Sequence, residues 1–262
     1  MSSDATTTVA QTTRGPSTDR KTAGVVIIGD EVLSRKVEDA NTAAILDAMA
    51  SHGVDVGEVA MLPDVQPRIA EVVRSYSARF DVVVTTGGVG PTHDDLTWAA
   101  VADAFDAPLE LNELVWQRMQ ERLPDGVSDE QRRMAILPRG VRITSEGGAY
   151  LFCMRNVYVM PGIPAMVRKA VQVVARRYGS ALRALATVYF SRDEWDSVAE
   201  VDRLVAQWPA LSIGSYPVLD SDDHRHRVTI EGDERSEVST AAGALIADIG
   251  NAHHVRTLWR ES

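Results

Sequence analysis

Between residues 85 and 97 the chain reads Thr85-Thr86-Gly87-Gly88-Val89-Gly90-Pro91-Thr92-His93-Asp94-Asp95-Leu96-Thr97, with three glycines in four positions and two adjacent acids. Glycines let backbone N–H groups face an anion with no Cβ in the way, and a helix opening just after them adds partial positive charge. The pattern suits a phosphate. Asp94 and Asp95 offer the hard oxygen ligands that select a divalent cation able to bridge to phosphate oxygens. Asp is also a common helix cap, and one of the two is expected to serve as one.

Further acids follow other apolar runs. Gly29-Asp30-Glu31 and then Asp39-Ala40-Asn41 come after the first run, and Asp64 comes after the second. In an open α/β sheet the ends of adjacent parallel strands converge on one crevice, so these acids can face the same ligand. Taken singly, Asp30 and Asp39 also suit turns and caps. Met160-Pro161-Gly162-Ile163-Pro164 is a stiff loop with undonated carbonyls, fit either for a fixed wall of that crevice or for a simple strand-to-helix stop.

The elements that must position these residues are readable from hydrophobic pattern. Val25-Val26-Ile27-Ile28 is a continuous apolar run closed by Gly29, as for a strand buried on both faces. Ile45, Leu46 and Met49 share one face of a helix that stops near Gly53. Strands are expected over Val54 to Met61, Asp81 to Thr86 and Asn156 to Met160. Helices are expected over Arg68 to Ser77, Leu96 to Phe105, Glu113 to Leu123 and Met166 to Tyr178. Alternating strand and helix implies βαβ units in a three-layer α/β sandwich. Beyond a boundary near Ser180 to Arg183 the grammar becomes β-α-β-β-α-β: Thr187 to Phe190, Trp195 to Gln207, Leu211 to Tyr216, Arg225 to Glu231, Ser236 to Ile249 and Val255 to Trp259. That order is ferredoxin-like. The expected organisation is a tail over 1–21, an α/β domain over 22–180 and a smaller α+β domain over 184–262.

Composition narrows the function classes. The 262 residues carry 27 basic and 37 acidic side chains, a net charge of −10, which disfavours nucleic acid and anionic membrane as partners. Cys153 is the single cysteine and can form no intramolecular disulfide. No apolar run approaches a bilayer span and the first residues lack the apolar core of a signal peptide, so a cytoplasmic location is expected. His93 beside the acids reads as a surface residue. His224, His226, His253 and His254 lack carboxylates at ligand spacing and read as solvated loop, and Cys153 as a packing residue.

Gly29-Asp30-Glu31-Val32-Leu33, Asp39-Ala40-Asn41, the Thr86 to Thr97 string and Pro161-Gly162-Ile163-Pro164 resemble the molybdopterin-binding (MoaB/Mog-like) domain family. The nearest likeness is to the N-terminal region of competence/damage-inducible protein A and the N-terminal domain of eukaryotic FAD synthase. Arg155-Asn156-Val157-Tyr158 and Ile213-Gly214-Ser215-Tyr216-Pro217 resemble the FAD-synthase version in particular. The resemblance implies a domain of MoaB/Mog type that handles a pterin phosphate or a dinucleotide pyrophosphate with Mg²⁺, Mn²⁺ or Co²⁺. It implies catalytic roles for Asp95 and Asp64, and metal ligation by Asp94 and Asp95. It implies ligand binding by Gly29, Asp30, Glu31, Asn41, Thr86, Gly87, Gly88, Gly90, Pro91, Thr92, Thr97, Pro161, Gly162 and Pro164. Three positions depart from the family pattern: Arg35 stands where Gly is usual, Ala40 where Thr is usual, and Ala165 where Glu is usual.

Three functions follow as expectations: a metal-dependent nucleotide pyrophosphatase of ADP-ribose or FAD type, a protein that binds or adenylylates molybdopterin, and a non-enzymatic nucleotide sensor. A homo-oligomer is expected. The Ser- and Thr-rich tail before Lys21 offers no core residue, so its deletion should leave thermal unfolding unchanged. A fall in melting temperature of more than about 5 °C, more than roughly 1 kcal/mol for a chain of this size, would contradict this.

Overall fold

The computed structural model describes residues 20–123 and 126–260. The expected tail lies, up to Asp19, outside the described residues. Its inner boundary moves outward by two residues: Arg20 pairs with Asp55 at 3.1 Å and the Lys21 carbonyl accepts the Asp55 N–H. The chain divides into two compact units between Ala181 and Leu182.

The first unit opens with β1 (Thr22–Ile28), the short α1 (Asp30–Leu33), α2 (Asn41–Ser51), β2 (Asp55–Leu62), α3 (Gln66–Arg79) and β3 (Val82–Thr86). It continues through α4 (Thr97–Ala104), β4 (Leu109–Leu111), α5 (Glu113–Arg122), α6 (Asp129–Arg132) and β5 (Ile136–Pro138). It closes with β6 (Arg142–Glu146), β7 (Ala149–Met154), β8 (Val157–Met160) and α7 (Pro164–Tyr178). Six strands form one sheet in the order β2-β1-β3-β8-β7-β6, in which β2, β1, β3 and β8 are mutually parallel, β7 pairs antiparallel with β8, and β6 pairs antiparallel with β7.

Alternation along each buried strand serves two cores. Val25 and Ile27 pack with Ile45, Met49, Val167 and Val171 of α2 and α7. Val26 and Ile28 pack with Ile69, Val73 and Val101 of α3 and α4 on the opposite face. The expected three layers are thus present. β1 lies between β2 and β3, so the chain leaves it in opposite directions; this is the switch point where α/β sheets hold ligands. Register brings the strand ends abreast: Ile28 beside Leu62, Ile27 beside Thr86, and Thr86 beside Met160.

The antiparallel extension β6–β7 and the small β4–β5 pair were absent from the expectation. Arg142–Glu146 is mostly exposed and polar, which hides it from a search for apolar runs. Gly147 and Gly148, both at positive φ, form its two-residue turn, a usable signal for a hairpin.

The second unit comprises β9 (Ala184–Phe190), α8 (Val198–Gln207), β10 (Ser212–Pro217), β11 (His226–Gly232), α9 (Arg235–Ile249) and β12 (His254–Trp259). Its four strands are antiparallel in the order β10-β11-β9-β12, the ferredoxin-like arrangement. His226 corrects the solvated-loop expectation: it lies on the core face of β11, fully buried, with Nε2 3.0 Å from Ser215 Oγ and Nδ1 without a partner. Burial holds its pKa below the usual imidazole value, against the nearby Glu194 charge.

One side chain ties the layers of the first unit together. Asn156 donates to the carbonyls of Ser77, Phe80 and Asp81 and accepts the Ser77 hydroxyl at 2.6 Å. Asn156→Ala should therefore cost about 1–3 kcal/mol in urea unfolding; a loss below about 0.5 kcal/mol, the range of neutral surface changes, would show the bonds to be dispensable.

Candidate functional site

The cleft is built where β1, β2, β3 and β8 end. The Gly29 N–H reaches the Leu62 carbonyl at 3.1 Å, and the Gly87 N–H reaches the Met160 carbonyl at 3.2 Å, so each loop is tied to a neighbouring strand. Gly87 has φ +101°, and a Cβ there would stand 2.0 Å from the Ile28 carbonyl oxygen. Gly88, at φ +63°, would place a Cβ 2.5 Å from Thr97 Oγ1. Neither position admits a side chain.

Thr97 fixes the loop from its far end. Its hydroxyl donates to the Gly87 carbonyl at 2.8 Å and its N–H to the Gly88 carbonyl at 2.9 Å. The N–H groups of Gly88 and Val89 have no protein acceptor among the described residues. On the neighbouring wall Asn41, nine-tenths buried, donates to Thr86 Oγ1 at 3.3 Å and to the Gly162 carbonyl at 2.9 Å. Thr86 in turn donates to the Pro161 carbonyl at 3.0 Å. Asn41 Oδ1 remains buried without a partner. Pro161, Gly162 and Pro164 thus form a wall beside Gly87, with a Cβ built on Gly162 3.7 Å from the Gly87 Cα.

The acids divide by role. Asp95 accepts the N–H groups of Gly90 at 2.6 Å and Thr92 at 2.8 Å, one on each carboxylate oxygen, and so braces the loop through Pro91. Neither acid caps α4, whose first residue is Thr97. Asp94 is exposed and shares the Thr92 hydroxyl with Asp95, and that bond lowers its pKa. Asp39 serves the bland use foreseen for it, accepting the N–H groups of Asn41 and Thr42 ahead of α2.

Asp64 is different. Its Oδ2 accepts the Asp30 N–H at 2.8 Å, and a Cβ built on Gly88 would lie 3.5 Å from its Oδ1, so the carboxylate flanks the glycine loop. Burial raises its pKa; the Asp30 N–H works against this, while the charges of Glu31, Asp30 and Asp94 add to it. Among the described residues no three His, Cys, Asp or Glu side chains enclose a metal site. The Asp94–Asp95 pair is therefore not a preformed cage, since Asp95 is already engaged with N–H groups.

His93 is a surface residue, with its side chain 95% exposed. Cys153 is buried, and burial pushes its thiol up, as befits packing. Arg35 occupies the left-handed region at φ +56°, the backbone conformation that explains why a glycine suits this position. The role of Asp95 as a brace was beyond the sequence reading, because spacing alone does not distinguish a ligand from an Asx-type turn.

A glycine loop at the switch point of a mainly parallel sheet, walled by a Pro-Gly-Ile-Pro turn and faced by acids, defines an open α/β domain with a cleft at its strand ends. Residues 24–180 match the family model described as "Probable molybdopterin binding domain", and the chain belongs to that family. Residues 184–257 match the model for "FAD synthase, middle domain". A "Probable FAD synthase" of Caenorhabditis briggsae is 27% identical over 264 residues, covering 89% of this chain and 50% of that protein. A "CinA-like protein" of Citrifermentans bemidjiense is 37% identical over 149 residues, 53% of this chain and 36% of the relative. The solved CinA of Thermoplasma acidophilum shares the fold of the first unit, with TM-score 0.55 and 24% identity over 61% of this chain and all of that one. The chain spans about half the length of the FAD synthase relatives it matches. No helix among the described residues is long and apolar enough to cross a membrane.

The raised Asp64 pKa fixes a sign. Its carboxyl is harder to ionise in the folded protein than in the unfolded chain, so its contribution is intact below the unfolded value of 3.8 and is lost as pH rises through the folded value. Asp64→Asn keeps an acceptor for the Asp30 N–H and removes the charge. The variant should melt higher than wild type at pH 7, with the difference vanishing near pH 3.5; a lower melting temperature at pH 7 would contradict the geometry.

Proposed function

We propose that the first unit binds the pyrophosphate of a dinucleotide such as ADP-ribose or FAD and hydrolyses it with a divalent cation. The observation that carries this reading is the Asp64 carboxylate set against Gly88 of the phosphate loop. Acids beside an anion site repel the anion, and a pure phosphate receptor gains nothing from them. With a cation present the same acids become useful.

The donor set fits such an ion in one form only. A small hard cation commonly takes one or two carboxylates and completes its shell with water and substrate phosphates. Asp94 is the candidate to hold Mg²⁺, Mn²⁺ or Co²⁺ here together with water and substrate phosphates, and when bound the ion would neutralise charge on the phosphate oxygens. The remaining work falls to the chain. The free N–H groups of Gly88 and Val89 bind the phosphate, Thr97 and Asp95 hold the loop in shape, and Asn41 with Thr86 fixes the opposite wall. Asp64, whose burial makes its carboxyl harder to ionise, stands beside the loop to take the proton from the attacking water.

Binding or adenylylation of molybdopterin is the competing reading, favoured by the family to which residues 24–180 belong. Incubation with FAD, ADP-ribose, or molybdopterin plus ATP, each with and without the three metals, separates the two. AMP released from FAD or ADP-ribose only with metal is the expected result. Asp64→Asn should lower that rate by a factor on the order of 10² or more. Failure to release AMP from either dinucleotide with every metal would overturn the hydrolase and leave binding or adenylyl transfer.

Asp95→Asn should also lower turnover, through the loop. An amide can accept only one of the two N–H groups and turns its own NH₂ toward the other, so the loop loses its shape. The distinguishing measurement is dinucleotide affinity without metal, which should weaken for Asp95→Asn and not for Asp64→Asn; the reverse pattern would show that Asp95 is no brace.

A further inference from the structure

We infer a second anion site, on the outer face of α7, that takes an oligophosphate such as a polyphosphate chain or the phosphate tail of a nucleotide. A groove of about 520 Å³ runs there, lined by Arg168, Lys169, Gln172 and Arg176 together with Ala165 and Gly147. Its α7 residues follow a spacing of three and four, so they share one face of the helix. Arg168, Lys169 and Arg176 are exposed, and none of them forms an ion pair among the described residues.

Three uncompensated cations on one face are unusual in a chain of net charge −10. The surroundings keep them so. The first turn of α7 carries no acid, and Ala165 stands one turn before Arg168 and Lys169, where a carboxylate would reach both. The acid beside the hairpin turn, Glu146, is already neutralised by Arg177 at 2.6 Å. The turn itself presents no side chain: a Cβ built on Gly147 would lie 3.4 Å from Val173 Cγ2, and one on Gly148 would meet nothing within 4 Å. The wall is low, and backbone closes it.

Spacing sets the class of ligand. Arg168 and Arg176 lie eight residues apart, about 12 Å along the helix axis. A single phosphate engages one end of that row, whereas a chain of several phosphates reaches all three cations. Duplex nucleic acid is disfavoured because its other phosphates would face a net negative protein. The groove is distinct from the glycine loop, as it contains no residue of that loop.

The test uses the full chain and inorganic tripolyphosphate, measured by isothermal titration with orthophosphate and sulfate as controls at matched ionic strength. Wild type should bind tripolyphosphate at least about tenfold more tightly than either control, and more weakly as salt rises. Replacing all three cations (R168Q/K169Q/R176Q) should weaken that binding by about tenfold or more, with the ligand-free melting temperature unchanged. Ala165→Glu adds a competing carboxylate while leaving every cation in place and should weaken binding severalfold, a second measure should the triple variant fold poorly. R168Q/K169Q/R176Q should leave metal-dependent AMP release from FAD or ADP-ribose unchanged, which separates this site from the proposed hydrolytic one. Equal affinity for tripolyphosphate and sulfate, binding that survives both groove variants, or a triple variant that loses dinucleotide hydrolysis together with tripolyphosphate binding would each overturn the proposal. A shift in oligomeric state on removing the cations, without tripolyphosphate binding, would overturn it in favour of self-association.

Discussion

The approach of Gly87 to the Ile28 carbonyl is the contact on which the first unit's architecture turns. Only hydrogen fits where a Cβ would stand 2.0 Å from that oxygen. This lets β3 end directly over β1 and swing its loop across the switch point. Every other feature of the cleft is hung from that crossing. Thr97 can reach back to the Gly87 and Gly88 carbonyls because the turn is tight, and Pro161 and Gly162 can press against the loop because Gly87 leaves them room. A larger residue would have to separate β1 from β3, the centre of the sheet.

The cleft that results is electrically unbalanced. Backbone N–H groups in the loop favour an anion, while Asp30, Glu31, Asp64 and Asp94 around it oppose one. Folding alone does not explain keeping four carboxylates near each other, since their mutual repulsion raises the cost of ionising Asp64. Under the proposed function the imbalance is a division of labour, the loop for phosphate oxygens and the acids for a positive partner. Asp95 stands apart, its charge satisfied by two N–H groups and its role mechanical.

Much of this was legible in the residues. Continuous apolar runs marked β1 and β3, and helical spacing marked α2, α3 and α7, because burial on both faces or on one leaves a period in the chain. The glycine string and the Pro-Gly-Ile-Pro turn gave away the cleft through backbone geometry that few other residues can adopt. What stayed hidden was exposed or local. β6 alternates weakly and buries almost nothing, and β4 and β5 span three residues each. The brace formed by Asp95 looks identical to a ligand in sequence, since a carboxylate accepts an N–H or a cation equally well. His226 was misread for a related reason: its neighbours Arg225 and Arg227 are polar, and only strand alternation turns it inward.

Because His226 sits neutral in the core of the second unit, that unit takes up a proton when it unfolds below the ordinary imidazole value. Asp64 in the first unit responds in the opposite sense, since burial first, and then the charges of Glu31, Asp30 and Asp94, disfavour its ionised form. Proton uptake at these two groups therefore favours opposite states of their units, the unfolded form where His226 is buried and the folded form where Asp64 is buried. The covalent link between them joins modules whose buried titrating groups, His226 and Asp64, respond to acid with opposite sign.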